Sequence, residues 1–444
     1  MPTLDPALAP VLPRTAELTP EGHLALGGCD AVDLAREFGT PLYVYDEEEL
    51  RKTCQAYREA FASRYERSAV AYAAKSYLGR WLAALVAEEG LGLDVVSGGE
   101  LAVACSAGFP LERVLFHGSN KSAQELREAV DAGIGRIVID NFHELGLLDD
   151  VAGGLGKRQP VLLRLSPNVD PHTHVKTTTG VLDTKFGFAI EGGQAEEAVV
   201  QALARSNLEL LGLHCHLGSP IFELDPYRQA NDVMIAFAAR MGERHGLELR
   251  EYSPGGGFAV QLLRGEPAPT PDDYAEAVVD SLRAALAREG LGEPSLTVEP
   301  GRAIVARAGV ALYTVGARKE LAGVRTYVSV DGGMADNIRP ALYEARYEAL
   351  VANRAAEPPA ERVTIAGRYC ESGDVLIKDI ELPKLWAGDV LALPAAGAYC
   401  LSMASNYNQS PRPAVVLVRE GRARLVRRRE TYEDLMRADV WGEQ

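Results

Sequence analysis

The sequence predicts an α/β protein, a (β/α)8 TIM-type barrel joined to an all-β domain, and three observations carry that reading. Eight short apolar or β-branched runs bounded by Gly, Pro, Ser or Asn lie between residues 68 and 302. The stretches between them place apolar residues at spacings of three and four and end at glycines. Beyond residue 303 strand-like runs succeed one another with no helices of comparable length between them. Strand–helix alternation repeated eight times is the pattern of a barrel, and a doubly wound sheet is the other arrangement that alternation permits. At 444 residues the chain is too long for one ordinary domain, which agrees with a barrel and a companion.

Taken in order, the barrel strands are read at 68-SAVAYAAKS-76, 92-GLDVVS-97, 113-RVLFHG-118, 136-RIVIDN-141, 161-VLLRLSP-167, 209-ELLGLHCHLG-218, 249-LREYSPGGG-257 and 295-SLTVEPGR-302. Buried parallel strands read as nearly continuous apolar runs, and these do. YLGRWLAALVAEEG, KSAQELREAVDAG and DDYAEAVVDSLRAALAREG supply helices closed by glycine caps. Ahead of the barrel stand a helix in DAVDLAREFG, a strand in PLYVYD, and a helix with Asp46 as N-cap and Glu49 in the capping-box position. The β domain is read from LYTVGARKEL, RTYVSVDGG, RVTIAGRY, DVLIKDIEL, DVLALPAAGAY, PAVVLVREG and RARLVRR. The expected division is 1–44 as a segment packing with the β domain, 45–302 as the barrel and 303–444 as the β domain.

Composition narrows the function. With 47% hydrophobic and 24% charged residues, the chain belongs to the globular class rather than the disordered, collagenous or coiled-coil ones. Its net charge of −16 opposes general binding of nucleic acid or anionic membranes. RARLVRRR at 422–429 therefore reads as a solvated, salt-bridged strand. No apolar run approaches the ~18 residues of a membrane helix. The opening MPTLDPALAPVLPRT has neither a basic start nor a continuous apolar stretch, so a cytoplasmic protein is expected. Six scattered cysteines without a CxxC pair read as reduced thiols.

The unusual polar residues gather at strand ends, where such barrels do their chemistry. Lys75 closes an apolar strand, where an ammonium is costly unless paired or used. A lysine so desolvated becomes a nucleophile, as a Schiff-base lysine does, and the alternative is a stem running past the rim to water. His117 with Gly118 ends strand three, and His216 with Gly218 and Ser219 ends strand six. Gly255, Gly256 and Gly257 follow strand seven, where backbone N–H groups approach an anion, and loops after strands seven and eight are the usual phosphate site. Glu299 closes strand eight, where a carboxylate holds a heteroaromatic nitrogen protonated, with an ion pair to Arg302 as its alternative. No GxGxxG opens a helix, and GGLGKR at 153–158 lacks the Walker spacing. His214 and His216 alternate along a strand and raise a metal site, but the further His and Asp ligands of metal-dependent barrels are few here, so no metal is expected.

These motifs, in order YAAKS, DVVSGGEL (94–101), FHGSNKS (116–122), HCHLGS (214–219), SPGGGF, EPGR, DNIRPALYEARY (336–347), CESGD and GAYCLSMASNYN (397–408), resemble the fold-type III pyridoxal-phosphate decarboxylases over nearly the whole chain. The resemblance implies an alanine racemase-like architecture and pyridoxal 5'-phosphate as cofactor. It implies Lys75 as the Schiff-base lysine, His216 stacked on the cofactor ring and Glu299 at the pyridine nitrogen. Ser219, Gly255, Gly256, Gly257 and Gly301 would hold the phosphate, with Tyr399 close by. Arg302, Arg339 and Tyr343 would meet substrate carboxylates and Glu371 the distal ammonium. Cys370 would be the reprotonating acid, reaching the site from the partner of a homodimer. An array with one distal anion site and one distal cation site points to meso-2,6-diaminopimelate, giving L-lysine. Ornithine and carboxynorspermidine, which have no second carboxylate, are the alternatives, and a non-catalytic cofactor-binding homologue is a third. Racemases of this barrel set an arginine where Glu299 stands. The chain departs from the pattern at Ser119 and Arg368, where Asn and Pro are expected, and in SPNVDPHTHVKTTTG (166–180).

Overall fold

The structure, a computed structural model, describes residues 4–171, 178–181 and 183–441. Strands β1 (Ser68–Ala73), β2 (Gly92–Val95), β3 (Val114–Phe116), β4 (Arg136–Ile139), β5 (Gln159–Ser166), β6 (Leu208–His214), β7 (Glu251–Gly256) and β8 (Ser295–Glu299) pair in parallel, each with the next. Leu296 of β8 pairs with Ser68 of β1, which closes the barrel and excludes the doubly wound alternative. Ala71, Leu115, Val138, Leu162 and Leu211 form a buried cluster of small and branched side chains contributed by five of these strands. Phe188–Ala189 adds a short strand beside β5.

The strands end sooner than the apolar runs suggest. β6 stops at His214 and β7 at Gly256, and Gly218 and Gly257, which follow them, take positive φ values that turn the chain away from the sheet. Helices fill the intervals as their periodicity requires. Ala123–Ala132 begins in a capping box in which Ser122 Oγ accepts from Glu125 N at 3.2 Å and Glu125 accepts from Ser122 N at 3.0 Å, and it ends on left-handed Gly133. Glu125 also accepts from Gly98 N at 2.9 Å, at the start of helix Gly98–Ser106, so one carboxylate serves two helix N-termini. These backbone N–H groups, Gly98 foremost, hold the Glu125 carboxyl below its ordinary range. A depressed carboxyl stabilises the fold above its unfolded pKa, and that contribution fades as pH falls through the folded value. Glu125→Ala is therefore expected to cost about 1–2 kcal/mol at pH 7, and clearly less below about pH 4. Urea unfolding at the two pH values checks it.

The second unit holds residues 4–52, 260–267 and 304–441. Its sheet runs Val375–Leu382, Glu361–Ala366, Arg325–Val330, Gly309–Leu321, Leu42–Asp46, Ala414–Arg419, Arg422–Arg427. Val390–Leu393 pairs with Gly309–Leu321 and with Leu350–Val351. Leu42–Asp46 is buried throughout and paired on both sides, so the boundary expected at 44/45 falls inside a strand, and the compact unit runs on to Lys52. Residues 260–267 also group with it rather than with the barrel, tied by Arg264, whose N and Nε each donate to Glu348 at 3.0 Å. Leu8, Val11, Leu12, Leu24 and Leu26 share a core with Leu42, Val310 and Val416. Asp46 caps its helix, Oδ1 accepting from Glu49 N at 2.7 Å, but only half of the expected capping box forms. Glu49 turns instead to Arg14, whose N and Nε donate to it at 2.9 and 2.8 Å. Arg422–Arg427 is a largely exposed edge strand. No helix among the described residues is long and apolar enough to cross a membrane.

Candidate active site

The barrel unit brings Lys75, Asp94, His117, His214, His216, Ser253 and Glu299 to the C-terminal ends of its strands. β1 stops at Ala73, and Lys75 sits in the single 3-10 turn Ala74–Ser76 that follows. Ser76 Oγ fixes that turn, donating to Ala73 O at 2.8 Å. The lysine side chain is 37% exposed, so burial in an apolar strand is not what sets its chemistry. Its Nζ lies 3.5 Å from Oδ2 of Asp94, a fully buried carboxylate on β2. Burial pushes the Asp94 carboxyl up to about 7, against the pull of the Lys75 ammonium.

Glu299 is the best-supported charge in the barrel. Its Oε2 lies 3.1 Å from His214 Nε2, and its Oε1 accepts from Ser253 Oγ at 2.9 Å, with His117 Nε2 at 3.5 Å. Burial alone would raise its pKa, yet His214, His117 and Lys75 together hold it well below the usual carboxylate range, so it is ionised. His117 and His214 meet edge to face with centroids 4.8 Å apart. Burial lowers the His117 pKa well below its ordinary value, against the pull of Glu299. The donor grouping that a cation would find is thus His117, His214 and Glu299, within 4.8 Å of one another. It is not the His214–His216 pair, since β6 ends at His214 and the alternation does not continue. The histidines of PHTH (His172, His174) lie outside the described residues, with the rest of 172–177 of the departing segment.

His216 is held neutral by burial. Gly256 N donates to its Nδ1 at 3.2 Å, which leaves the proton of the neutral ring on Nε2 and fixes the ring plane. Gly255 N donates to Ser253 Oγ at 3.1 Å. Two of the three N–H groups expected to face an anion therefore point into the protein. Side chains are excluded from the triplet all the same. A Cβ at Gly256 would stand 1.9 Å from Glu299 O, and one at Gly257 2.2 Å from Gly218 O. Arg302, 5% exposed, donates from Nε to Ser219 Oγ at 3.4 Å rather than serving as the partner that holds Glu299. Gly301 lies between them in sequence, and a Cβ there would meet Ala73 Cβ at 2.9 Å.

The β unit carries the remaining predicted residues in two places. Arg339 opens the short helix Arg339–Tyr343 and is 7% exposed, its guanidinium carbon 5.2 Å from the centroid of Tyr343 and 5.5 Å from that of Tyr399. Tyr399 has a left-handed backbone, φ 61°, a strained conformation for a residue with a side chain. Cys370 and Glu371 lie in the loop between Glu361–Ala366 and Val375–Leu382. Both are exposed, and Tyr407 OH donates to Glu371.

Asp94, Ser253 and buried Arg164, 3.8 Å from Asp140, are additions to the residues singled out from sequence, and His214, weighed there only as a metal ligand, is here the partner of Glu299. Asp94 carried the signal that picked Lys75, a charge in an apolar strand. Ser253 carried only its place before the glycines.

A lysine amine, an ionised carboxylate, a flat neutral imidazole and a hydroxyl–arginine–glycine corner fit a group with an aldehyde, a ring nitrogen and a phosphate. Buried polar atoms without hydrogen-bond partners among the described residues, both Asp94 oxygens and His117 Nε2, lie in the same place. Fold and site together define a barrel enzyme of pyridoxal-phosphate chemistry. The profile described as pyridoxal-dependent decarboxylase, pyridoxal binding domain, matches residues 47–306. The chain is 47% identical over 426 residues to the diaminopimelate decarboxylase of Bacillus subtilis (strain 168), covering 96% of this chain and 97% of that one. It is 41% identical over 443 residues to that of Mycobacterium tuberculosis, covering 98% of each. The crystal structure of the M. jannaschii diaminopimelate decarboxylase in co-complex with L-lysine matches with TM-score 0.90 and 37% identity, over 97% of this chain and 98% of that one. The chain belongs to the pyridoxal-dependent decarboxylases and, within them, to the diaminopimelate decarboxylases.

Proposed function

We propose that this chain decarboxylates meso-2,6-diaminopimelate to L-lysine and CO2, the last step of lysine biosynthesis, and that the residues above divide the work as follows. The observation that carries the substrate is Arg339, a buried guanidinium between two tyrosine rings with no carboxylate partner among the described residues. A desolvated cation of this kind calls for an anion from outside, and a distal substrate carboxylate supplies it. Arg339→Ala is expected to raise KM for diaminopimelate about 10- to 100-fold, the worth of a charged hydrogen bond, with a smaller change in kcat. Steady-state kinetics reads this, and an unchanged KM removes Arg339 from the substrate site.

Pyridoxal phosphate, when bound, supplies the electron sink that accepts the pair left as CO2 departs. Lys75 provides the amine that attaches it, and Asp94 pairs with that amine when it is not attached. Glu299, ionised, keeps a ring nitrogen protonated, and His216 offers a flat neutral face. Ser219, Gly257 and Gly301 give donors to the phosphate, while Gly255 and Gly256 act by lacking side chains. Arg302, Tyr343 and Tyr399 orient the substrate. Glu371 takes the distal ammonium, and Cys370 Sγ returns a proton to the carbon that lost CO2. The barrel unit, Thr53–Ala303 less residues 260–267, is the cofactor domain in this reading.

The same reading makes the active unit a homodimer in which Cys370 and Glu371 serve the partner's site; their exposure on a loop supports it. Mixing inactive Lys75→Ala with inactive Cys370→Ala protein should then restore activity, and none returns if each chain supplies its own thiol. A cytoplasmic setting is supported by six cysteines, all free. The deciding experiment for the reaction offers meso-diaminopimelate, ornithine, lysine, arginine and carboxynorspermidine separately to the pyridoxal-phosphate-loaded protein. Lysine and CO2 from diaminopimelate alone are expected. Turnover of another substrate overturns the assignment of Arg339, and no turnover with cofactor bound overturns the reaction.

A further inference from the structure

The loop of Cys370 and Glu371 is tied internally by Asp374, which accepts from Tyr369 N at 2.8 Å and from Met334 N at 2.7 Å. Against this loop lies a cavity of about 220 Å³ whose lining includes Arg368, Arg412 and Arg429 together with Asp331, Asp336 and Tyr369. Three arginines and two aspartates thus line one small space in a chain of net charge −16.

The carboxylates on its wall are already occupied. Asp331 accepts from Thr40 Oγ1 at 2.5 Å and from Thr314 N at 2.9 Å. Asp336 accepts from Tyr313 OH at 2.5 Å and from Gly333 N at 2.8 Å. The arginines are only partly so. Arg412 Nε is buried without a hydrogen-bond partner among the described residues, and its Nη1 stands 3.7 Å from Glu430. Arg429 donates from Nη2 to Pro41 O at 2.7 Å, and burial lowers its pKa against the pull of Asp331 and Asp336. The Arg368 side chain has no hydrogen bond or ion pair to another described residue. A buried N–H left without an acceptor destabilises the fold unless something else accepts from it, and planar guanidinium donors match a tetrahedral oxyanion best.

We propose that this cavity is a binding site for a small dianion of the phosphate class, held by Arg368, Arg412 and Arg429. None of the three belongs to the corner of Ser219, Gly257 and Gly301. Bound there, the anion would tie Arg368, at the root of the loop, to residues that follow and precede strand Ala414–Arg419 and its partner. It would thereby restrain the loop of Cys370. Only this kinetic consequence rests on the decarboxylase reading; the binding does not.

The test uses pyridoxal-phosphate-saturated protein and inorganic phosphate, against sodium chloride matched in ionic strength, with Tm as the readout. A saturable rise in Tm is expected. In Arg412→Gln and, separately, in exposed Arg368→Ala, the apparent Kd should weaken at least tenfold. A rise that does not saturate overturns the site, as does one of equal midpoint in Arg368→Ala, which stays informative should Arg412→Gln fail to fold. Methyl phosphate in place of phosphate separates the two sources of the dianion. Tighter binding than phosphate assigns the site to a phosphate monoester, and weaker binding assigns it to free phosphate. Because Tm is read without turnover, a negative result here leaves the decarboxylation assay independent.

Discussion

Lys75→Ala is expected to abolish decarboxylation, lowering kcat by at least about 10⁴-fold, since it removes the proposed covalent attachment point and its amine. A second readout is independent of turnover. Borohydride reduction followed by mass spectrometry should fix the cofactor to one peptide of the wild-type chain, the one containing Lys75, and to none in the variant. The pairing with Asp94 explains why no other lysine would substitute. Lys121, the other lysine of this face, is buried and fully engaged, donating to Gly118 O, Val138 O and Glu144 at 2.9, 2.9 and 2.7 Å. Lys75 instead stands at the edge of a turn, partly exposed, with one carboxylate 3.5 Å away. An amine so placed can exchange partners. Attachment at a different lysine in the wild type would remove the assignment and with it the site built around Ala74–Ser76.

Sequence made the barrel legible because buried parallel strands leave little choice of residue: VLLRLS or RIVI can be little else between glycines and polar caps. It overran the strand ends because HCHLGS and SPGGG contain small and apolar residues that read as strand while their backbone turns. It split Leu42–Asp46 because the boundary was drawn at a change of texture, whereas the strand is held by partners more than 260 residues away in sequence, at Gly309–Leu312 and Ala414–Val418. Local chemistry cannot report such pairing. The half-formed capping box at Asp46 has the same cause, since Arg14 outcompetes the local N–H for Glu49.

The site divides along the same line. Lys75, His216, Glu299 and the glycine triplet were visible because each is out of place in its own segment. The interactions that give Glu299 its charge state were not, since β3, β6, β7 and β8 each contribute one group and only closure of the barrel brings them together. The directions of the glycine N–H groups were likewise set by His216 and Ser253, not by the triplet itself. The roles of Cys370 and Glu371 came from resemblance alone, although their polar, glycine-containing loop already stood out from a core turn.

Glu299→Gln is the sharper test of the chemistry, because it keeps size and hydrogen bonding while removing the charge. His214 and Ser253 still find acceptors or donors in the amide, so the barrel should stay folded and the cofactor bound, which equilibrium dialysis measures. The lost negative charge is another matter. In the wild type two imidazoles and the Lys75 ammonium act against burial to keep this carboxyl ionised, and a buried fixed charge is worth far more than one in water. Its removal leaves a ring nitrogen without the anion that keeps it protonated, and so weakens the electron sink on which loss of CO2 depends. We expect kcat to fall about 10²- to 10³-fold, in the range seen when one preorganised electrostatic partner is deleted, with KM for diaminopimelate nearly unchanged because the proposed substrate contacts keep their charges. A variant that retains cofactor and full kcat would show that the charge is structural. A variant that loses cofactor in proportion to activity would make Glu299 a binding residue and no more.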